Sequence, residues 1–176
     1  MSVKTVILGF LRYGPLHGYE LKRRIEHDMG DWADIRFGSI YFALEKLTEE
    51  GFVTGETQES ESNRPSRIVY TITDKGREEY LVLLRELWQD RTRTRHPLDV
   101  AIAFIRDLPE DEVRGYLRDR LAYLEQALAY VMQHEEETMA QPQVPRESRF
   151  IFSHTRYQLA AERDWTRAVL GELQGL

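Results

Sequence analysis

The chain has 176 residues, of which 41% are apolar and 31% charged, with a formal net charge of −6 and an isoelectric point near 5.5. This length suits one domain or two small ones. The acidic balance does not indicate a nucleic-acid-binding protein, for which a strongly basic composition would be the direct sign. Residues 1–80 and 81–176 each carry a net charge of −3, so any basic surface must be local. The sequence contains no cysteine, which excludes disulfides and thiolate metal sites.

Sequence signals for membranes, metals and catalysis are absent. No apolar run approaches the roughly 18 residues of a membrane span, and the start "MSVKTVILGFLRYG" lacks a small-residue cleavage site. No two histidines have helical ligand spacing, and there is no phosphate-cradling glycine motif. We therefore expect a cytoplasmic protein that has no membrane partner, no metal and no cofactor, and that is not an enzyme.

Three short helices are expected in the first half of the chain, each indicated by apolar residues at helical spacing. The first is "VKTVILGFLRYG", whose apolar stripe stops at Gly14 and Pro15. The second is "LHGYELKRRIEHD", and the third runs from Ser39, a candidate N-cap, to a helix end at Gly51. The residues expected to point inward on the second helix are Tyr19, Leu21 and Ile25.

Two β-rich runs follow, "FVTGE" and "RIVYTIT", separated by the polar stretch "TQESESNRPS". Three helices followed by a two-stranded hairpin describe a winged helix-turn-helix. We therefore predict a mainly α fold with a small β-hairpin wing. The expected domains are a winged helix-turn-helix domain at 1–82 and a helical domain at 83–176.

The second half is expected to be helical. A long helix should run from about Asp74 toward Arg95, and further helices should begin near Pro97 and Pro109, since proline fits the first turn of a helix. In the helix after Pro109, apolar residues alternate spacings of four and three, which favours packing along another helix. These residues are Leu117, Leu121, Leu124, Leu128 and Val131. The pattern alone fits an intramolecular bundle as well as a dimer interface.

The third helix, within "IRFGSIYFALEKLTEEGFV", carries an unexpected aromatic residue. Ile40, Leu44 and Leu47 form one stripe of the helix, and Phe42 lies nearly opposite that stripe. Two interpretations follow. Phe42 either meets a binding partner of this face or packs against a neighbouring helix.

Three segments carry a resemblance to a known family: "ILGFLRYGPLHGYELKRRI", "FGSIYFALEKLTEEGFV" and "RIVYTITDKGREEY". They contain a Gly-Pro-x-x-Gly-Tyr turn at 14–19, a Gly-Ser-x-Tyr-x-x-Leu helix entry at 38–44 and a Tyr-x-x-Thr-x-x-Gly wing exit at 70–76. In this order they resemble the PadR-type transcriptional regulators. The helical second half resembles the C-terminal region of the longer family members. One departure is Phe42, where the family commonly has proline directly after the helix-entry tyrosine, so the base preference of other members need not carry over.

The resemblance implies a DNA-binding regulator that acts as a homodimer, usually a repressor, binds an inverted-repeat operator and is released by a small molecule. The expected partners are double-stranded DNA, a second copy of the chain and a small aromatic effector. The residues expected at DNA are Ser39, Tyr41, Phe42, Lys46, Arg64, Arg67, Lys22, Arg23, Lys4 and Arg36. The residues expected at the dimer interface are Leu117, Leu121, Leu124, Leu128, Val131, Trp165 and Val169. The residues expected at an effector are Trp88, Tyr157 and Trp165, for each of which a plain core position is the alternative.

Two further functions remain open at this point. The winged helix could bind a protein partner and have no DNA role, which the net charge of −6 supports. The chain could also be an oligomerisation scaffold in which the helical half carries the function.

Overall fold

The computed structural model of the protein describes residues 3–29, 37–58, 67–92 and 95–174. Two compact units are present, Met1–Arg93 and Thr94–Leu176. The first contains helices α1 to α4 and strands β1 to β3: α1 Val3–Leu11, β1 Leu16–His17, α2 Gly18–Met29, α3 Phe37–Glu49, β2 Val53–Gln58, β3 Arg67–Ile72 and α4 Asp74–Gln89. The second contains α5 Pro97–Ala103, a 3₁₀ turn Ile105–Asp107, α6 Glu110–Met139 and α7 Ser148–Gln174. The predicted domain division at residue 82 falls within α4.

The predicted fold class is confirmed, with one addition to the sheet. The described strands form one antiparallel sheet in the order β1-β3-β2, so the expected hairpin gains a third strand. Leu16 of β1 pairs with Tyr70 of β3, and Gly55 of β2 pairs with the same residue from the other side. The second helix therefore begins at Gly18 and not at Leu16, because the residues before it are extended.

One apolar core holds the first unit together. It is built from α1, α2 and α3 with single residues from each strand: Val6, Ile7, Leu8, Leu11, Leu16, Leu21, Ile25, Ile40, Leu44, Leu47, Val53 and Ile72. α1 buries four consecutive residues, Thr5 to Leu8, because α3, α4 and β3 cover it from several sides. The stripe predicted for α3, formed by Ile40, Leu44 and Leu47, is confirmed as fully buried.

The end of α3 is a helix stop with glycine in the left-handed region. Gly51 has φ +74°, and the Phe52 N–H donates to the carbonyl of Leu47 while the Gly51 N–H donates to that of Thr48. This pattern satisfies carbonyls that the helix leaves unpaired, and it suits glycine because a Cβ is costly at positive φ. The start of α3 differs from the prediction. Since the helix begins at Phe37, Ser39 lies within its first turn and is not an N-cap.

The second unit is centred on α6 and α7, which pack against each other. Ion pairs join Arg120 to Glu162 at 2.6 Å and Arg167 to Glu125 at 2.9 Å. The Arg114 guanidinium, near the start of α6, donates to a carbonyl near the end of α7. The two helices are therefore antiparallel. α5 begins at Pro97 as expected, whereas Pro109 precedes α6 as its N-cap.

α4 is shorter than predicted. It begins at Asp74 as expected but ends at Gln89 and not near Arg95, because Asp90 takes an extended conformation. The Asp90 carboxylate accepts a hydrogen bond from the backbone N–H of Thr92, a local turn that competes with further helix.

Candidate nucleic-acid interface

The outer face of α3 carries an exposed phenylalanine. Phe42 is 60% exposed, whereas the Ile40, Leu44 and Leu47 side chains on the opposite face are buried. The alternative that Phe42 packs against a neighbouring helix is therefore wrong. The Lys46 ammonium lies 5.5 Å from the centre of the Phe42 ring, within range of cation–π attraction. α3 thus presents an apolar ring and a positive charge side by side.

Tyr41 lies at the border of this face. About half of its side chain is exposed, and one ring edge packs over Gly18 at the start of α2. Tyr70 of β3 lies beside the same glycine. Burial raises the pKa of the Tyr70 hydroxyl, and the nearby Tyr41 and Glu45 raise it further. Glu45 therefore acts on the sheet side of α3.

Besides Lys46, two further predicted cations of the first unit are exposed. They are Arg23 on α2 and Arg67 at the start of β3. The Lys22 ammonium lies 3.9 Å from the Glu26 carboxylate one turn on, which partly balances its charge. Ser39 is half-buried in the first turn of α3. The predicted contacts Arg36 and Arg64 lie outside the described residues.

Lys4 has a different environment from the other predicted cations. Its Nζ lies 3.1 Å from Glu50 Oε2 and 3.1 Å from Glu79 Oε1. Burial lowers the pKa of Lys4, but the hydrogen bonds and charges of Glu79 and Glu50 outweigh burial and raise it above the ordinary 10.5. Two carboxylates thus balance this ammonium, which reduces its attraction for a phosphate. Its assignment as a DNA contact stays a prediction.

The residues predicted for a dimer interface do not form one exposed seam. Leu117 and Leu124 are buried within a single chain, with Leu124 only 3% exposed, because α6 packs against α7. The remaining members are half-buried or at the exposed limit: Leu121, Leu128, Val131, Trp165 and Val169. The exposed large apolar residues of α6 are instead Tyr116, Tyr123, Tyr130 and Met132. A heptad pattern finds a packing face but does not say which chain supplies the partner.

The three residues predicted for an effector are accessible. Trp88, near the end of α4, is 85% exposed, and Tyr157 on α7 is 78% exposed. Trp165, also on α7, is about one-third exposed. The alternative of plain core positions is therefore wrong for Trp88 and Tyr157. Among the residues that the structure describes, no group of three His, Asp or Glu side chains is placed to hold a metal ion.

The prediction that Tyr19 points inward from α2 is wrong. It was expected to point inward, but it is 69% exposed, on the same side of the helix as Arg23. Helical spacing itself predicts an exposed Tyr19, since the residue lies two positions, or about 200°, from the buried Leu21. Tyr19 therefore adds an exposed phenol next to a predicted phosphate contact.

Three helices packed on a small antiparallel sheet, with an outward aromatic and basic face on the third helix, define a winged helix-turn-helix protein. The sequence model of the Transcriptional regulator PadR-like family matches residues 7–81, which contain all three segments that carry the predicted resemblance. The predicted resemblance is confirmed. Because the family is one of transcriptional regulators, the expectation that the chain is not an enzyme is also confirmed.

A curated regulator is similar to part of this chain. The chain is 36% identical over 77 residues to the negative transcriptional regulator PadR of Bacillus subtilis (strain 168), a match that covers 44% of this chain and 42% of that protein. The match thus spans less than half of that relative's length.

Solved structures extend the similarity in fold to nearly the whole chain. The crystal structure of Bacillus subtilis PadR in complex with operator DNA has a TM-score of 0.77 at 24% identity, covering 97% of this chain and 98% of that one. The structure of the same regulator with p-coumaric acid has a TM-score of 0.75 at 23% identity, covering 98% and 95%.

No helix in the described part of the chain has the length and apolar character needed to cross a membrane.

Proposed function

We propose that this protein is a sequence-specific, DNA-binding repressor that acts as a homodimer and is released by a small aromatic molecule. The observation that carries the proposal is the outer face of α3. Phe42 and Lys46 are exposed there, directly opposite the side chains that fix the helix in the core. In helix-turn-helix proteins the corresponding helix enters the major groove of DNA.

Each residue of this face has a distinct role in the proposed complex. The Phe42 ring packs against a thymine methyl group, an apolar mode of base recognition. Lys46 contacts a phosphate or a guanine. Ser39 and the Tyr41 hydroxyl contact a base edge or a phosphate, which fixes the position of the helix. The charges of Glu45 and Glu49 limit the affinity that α3 alone provides.

Cations outside α3 supply most of the attraction for the DNA backbone. Arg23 and Lys22 on α2 and Arg67 at the wing are in the described part of this surface. Arg64 in the wing and Arg36 before α3 complete the proposed set. Phosphate contacts of this kind give affinity that depends on salt and little on sequence.

A dimer supplies the second half-site. One winged helix reads few base pairs, so a two-fold symmetric pair that binds an inverted repeat is the usual solution. The second unit supports this, because α6 exposes Tyr116, Tyr123 and Tyr130 at seven-residue spacing. Their common face has the period of helix–helix packing and leaves Leu117 and Leu124 to the core of one chain.

The effector proposal rests on exposed aromatic side chains and on one relative. Trp88 and Tyr157 are exposed, and Trp165 is partly so. Bacillus subtilis PadR has been crystallised with p-coumaric acid, a small aromatic molecule. We expect a planar aromatic ligand here as well. A cytoplasmic site of action remains part of the proposal.

The alternative function is a winged-helix module that binds a protein partner or oligomerises without a DNA role. The net charge of −6 favours it, since it repels DNA at long range. Titration of the full-length protein into a labelled duplex from upstream of its own gene, with an equally long coding duplex as control, separates the two. Retardation of the upstream duplex at a much lower protein concentration supports the repressor. Equal retardation of both, or of neither, supports the alternative.

A further inference from the structure

Gly18, the first residue of α2, packs against tyrosines from two other elements. A Cβ atom at Gly18 would lie 3.0 Å from Cε1 of Tyr41 on α3 and 3.5 Å from Cε2 of Tyr70 on β3. Gly18 is itself buried. The two tyrosine rings therefore meet over a single backbone position that has no side chain.

The backbone conformation does not explain a glycine at this position. Among the described residues, only Gly14 and Gly51 have positive φ, so an alanine at position 18 meets no backbone strain. The glycine leaves room for the ring, because a Cβ at 3.0 Å from a ring carbon is tighter than most such contacts and would push the Tyr41 ring aside by a few tenths of an ångström.

A second glycine lies on the other side of the Tyr70 ring. A Cβ atom at Gly55 would lie 3.5 Å from Cε1 of Tyr70 and 3.1 Å from Cγ2 of Ile68. Gly55 pairs directly with Tyr70 in the sheet, and Leu16 pairs with Tyr70 on the opposite edge. Tyr70 thus lies in the central strand with its ring between two glycines.

We propose that Gly18 and Tyr70 are positioning residues for Tyr41, and that they hold its ring so that the hydroxyl meets a DNA phosphate at the N-terminal end of α3. This inference rests on the proposed DNA-binding function. Gly18 lies against α3 through Tyr41 and against the sheet through Tyr70, which ties the helix proposed to enter the groove to the strand that leads out of the wing. It also accounts for three separate motifs, since the Gly-Tyr turn, the helix-entry tyrosine and the wing-exit tyrosine meet at this point.

The test is a double-mutant cycle on the full-length protein. Gly18→Ala displaces the Tyr41 ring and should weaken binding to the upstream duplex about tenfold, the size expected for one hydrogen bond to a charged group. Its melting temperature should stay at or near that of the wild type. Tyr41→Leu should weaken binding to a similar extent, and Gly18→Ala added to Tyr41→Leu should cause no further loss.

The matched control is Gly115→Ala, a helical glycine in α6 with no atom within 4 Å of an added Cβ. It should bind DNA as the wild type does. If Gly18→Ala unfolds the protein, Tyr70→Leu replaces it in the cycle, because that change removes the support of the ring without adding an atom. Wild-type affinity for Gly18→Ala, or for Tyr70→Leu in its place, would overturn the inference. So would a loss that persists undiminished in the Tyr41→Leu background.

Failure of the proposed function would give a different result. If the wild type does not retard the upstream duplex, the DNA-binding proposal is wrong. The packing of the two rings against Gly18 is then tested in the free protein, without DNA. Nuclear Overhauser effects between the Gly18 Hα atoms and the ring protons of Tyr41 and Tyr70 should be present in the free protein. Their absence would show that Gly18 does not hold these rings.

Discussion

Gly76, in the first turn of α4, lies so close to the carbonyl oxygen of Phe52 that no Cβ atom fits between them. Around this contact the end of α3 is bonded to the start of α4. The Thr73 N–H donates to the Phe52 carbonyl at 3.0 Å, and the Thr73 hydroxyl oxygen accepts from the Gly76 N–H. Lys75 donates to the carbonyl of Glu50 at 2.7 Å. The helix proposed to read DNA is therefore bonded directly to the last helix of its unit.

Gly76→Ala should destabilise the protein by about 1–3 kcal/mol, because the added methyl group must displace backbone and not a flexible side chain. Urea unfolding followed by circular dichroism measures the change. Gly115→Ala is the control, since an added methyl group there meets no neighbour and should be neutral or stabilise by up to about 1 kcal/mol. Equal stability of the Gly76→Ala variant and the wild type would show that the turn after α3 shifts to accommodate the methyl group at no cost in free energy.

Stability should fall at alkaline pH in part because of Lys4. Its pKa in the folded protein is raised above the ordinary 10.5 by Glu79 and Glu50, which outweigh the effect of burial. The stabilisation is therefore fully present below the unfolded pKa and is lost as the pH rises through the folded one. Lys4→Met should show a shallower loss of stability than the wild type above about pH 10.5. Lys46→Met, which removes a lysine outside this ion-pair cluster, should retain the wild-type slope; identical slopes for all three proteins would contradict the assignment.

Tyr123→Glu should convert the proposed dimer to monomers, because it places a charge in the middle of the exposed tyrosine face of α6. Sedimentation equilibrium measures the association. Ala129→Glu is the matched control, since it adds the same charge at an exposed position on another side of the same helix. An unchanged dimer for Tyr123→Glu would show that a different face joins the two copies.

An aromatic effector should quench tryptophan fluorescence and weaken DNA binding together. p-Coumaric acid is the first compound to try, and Trp88→Phe identifies which indole responds. Because the coupling of two ligands is reciprocal, saturating operator DNA must weaken the affinity for the compound by the same factor by which the compound weakens DNA binding. Binding of the compound with unchanged DNA affinity would remove this mechanism.

The sequence predicts those helices and faces whose apolar residues recur at regular spacing. The buried face of α3 and the exposure of Phe42 follow from 3.6-residue spacing, because a residue opposite the buried stripe of a helix faces solvent. β1 was missed because two residues carry no period. Its pairing with Tyr70 depends on a strand more than fifty positions away.

Contacts between distant residues account for the rest of the site that the sequence did not predict. Lys4 was expected at DNA because nothing local distinguishes it from other exposed cations, yet its carboxylate partners are Glu50 and Glu79. Leu117 and Leu124 have the spacing of a helix seam, but the spacing is the same whether α7 or a second chain covers it. The composition does not reveal the basic surface either, since a surface confined to a few arginines leaves the net charge of the chain at −6.

The measurement that tests the account most directly is the binding of wild-type, Phe42→Ala and Arg67→Ala proteins to operator and random duplexes across a salt series. Phe42→Ala should lose about 1–3 kcal/mol on the operator and little on random DNA, because base contacts specify sequence. Arg67→Ala should weaken both and reduce the log–log salt slope by about one, because a phosphate contact releases counterions. Equal losses for Phe42→Ala on both duplexes, or no loss on either, would contradict the claim that the exposed face of α3 reads DNA sequence.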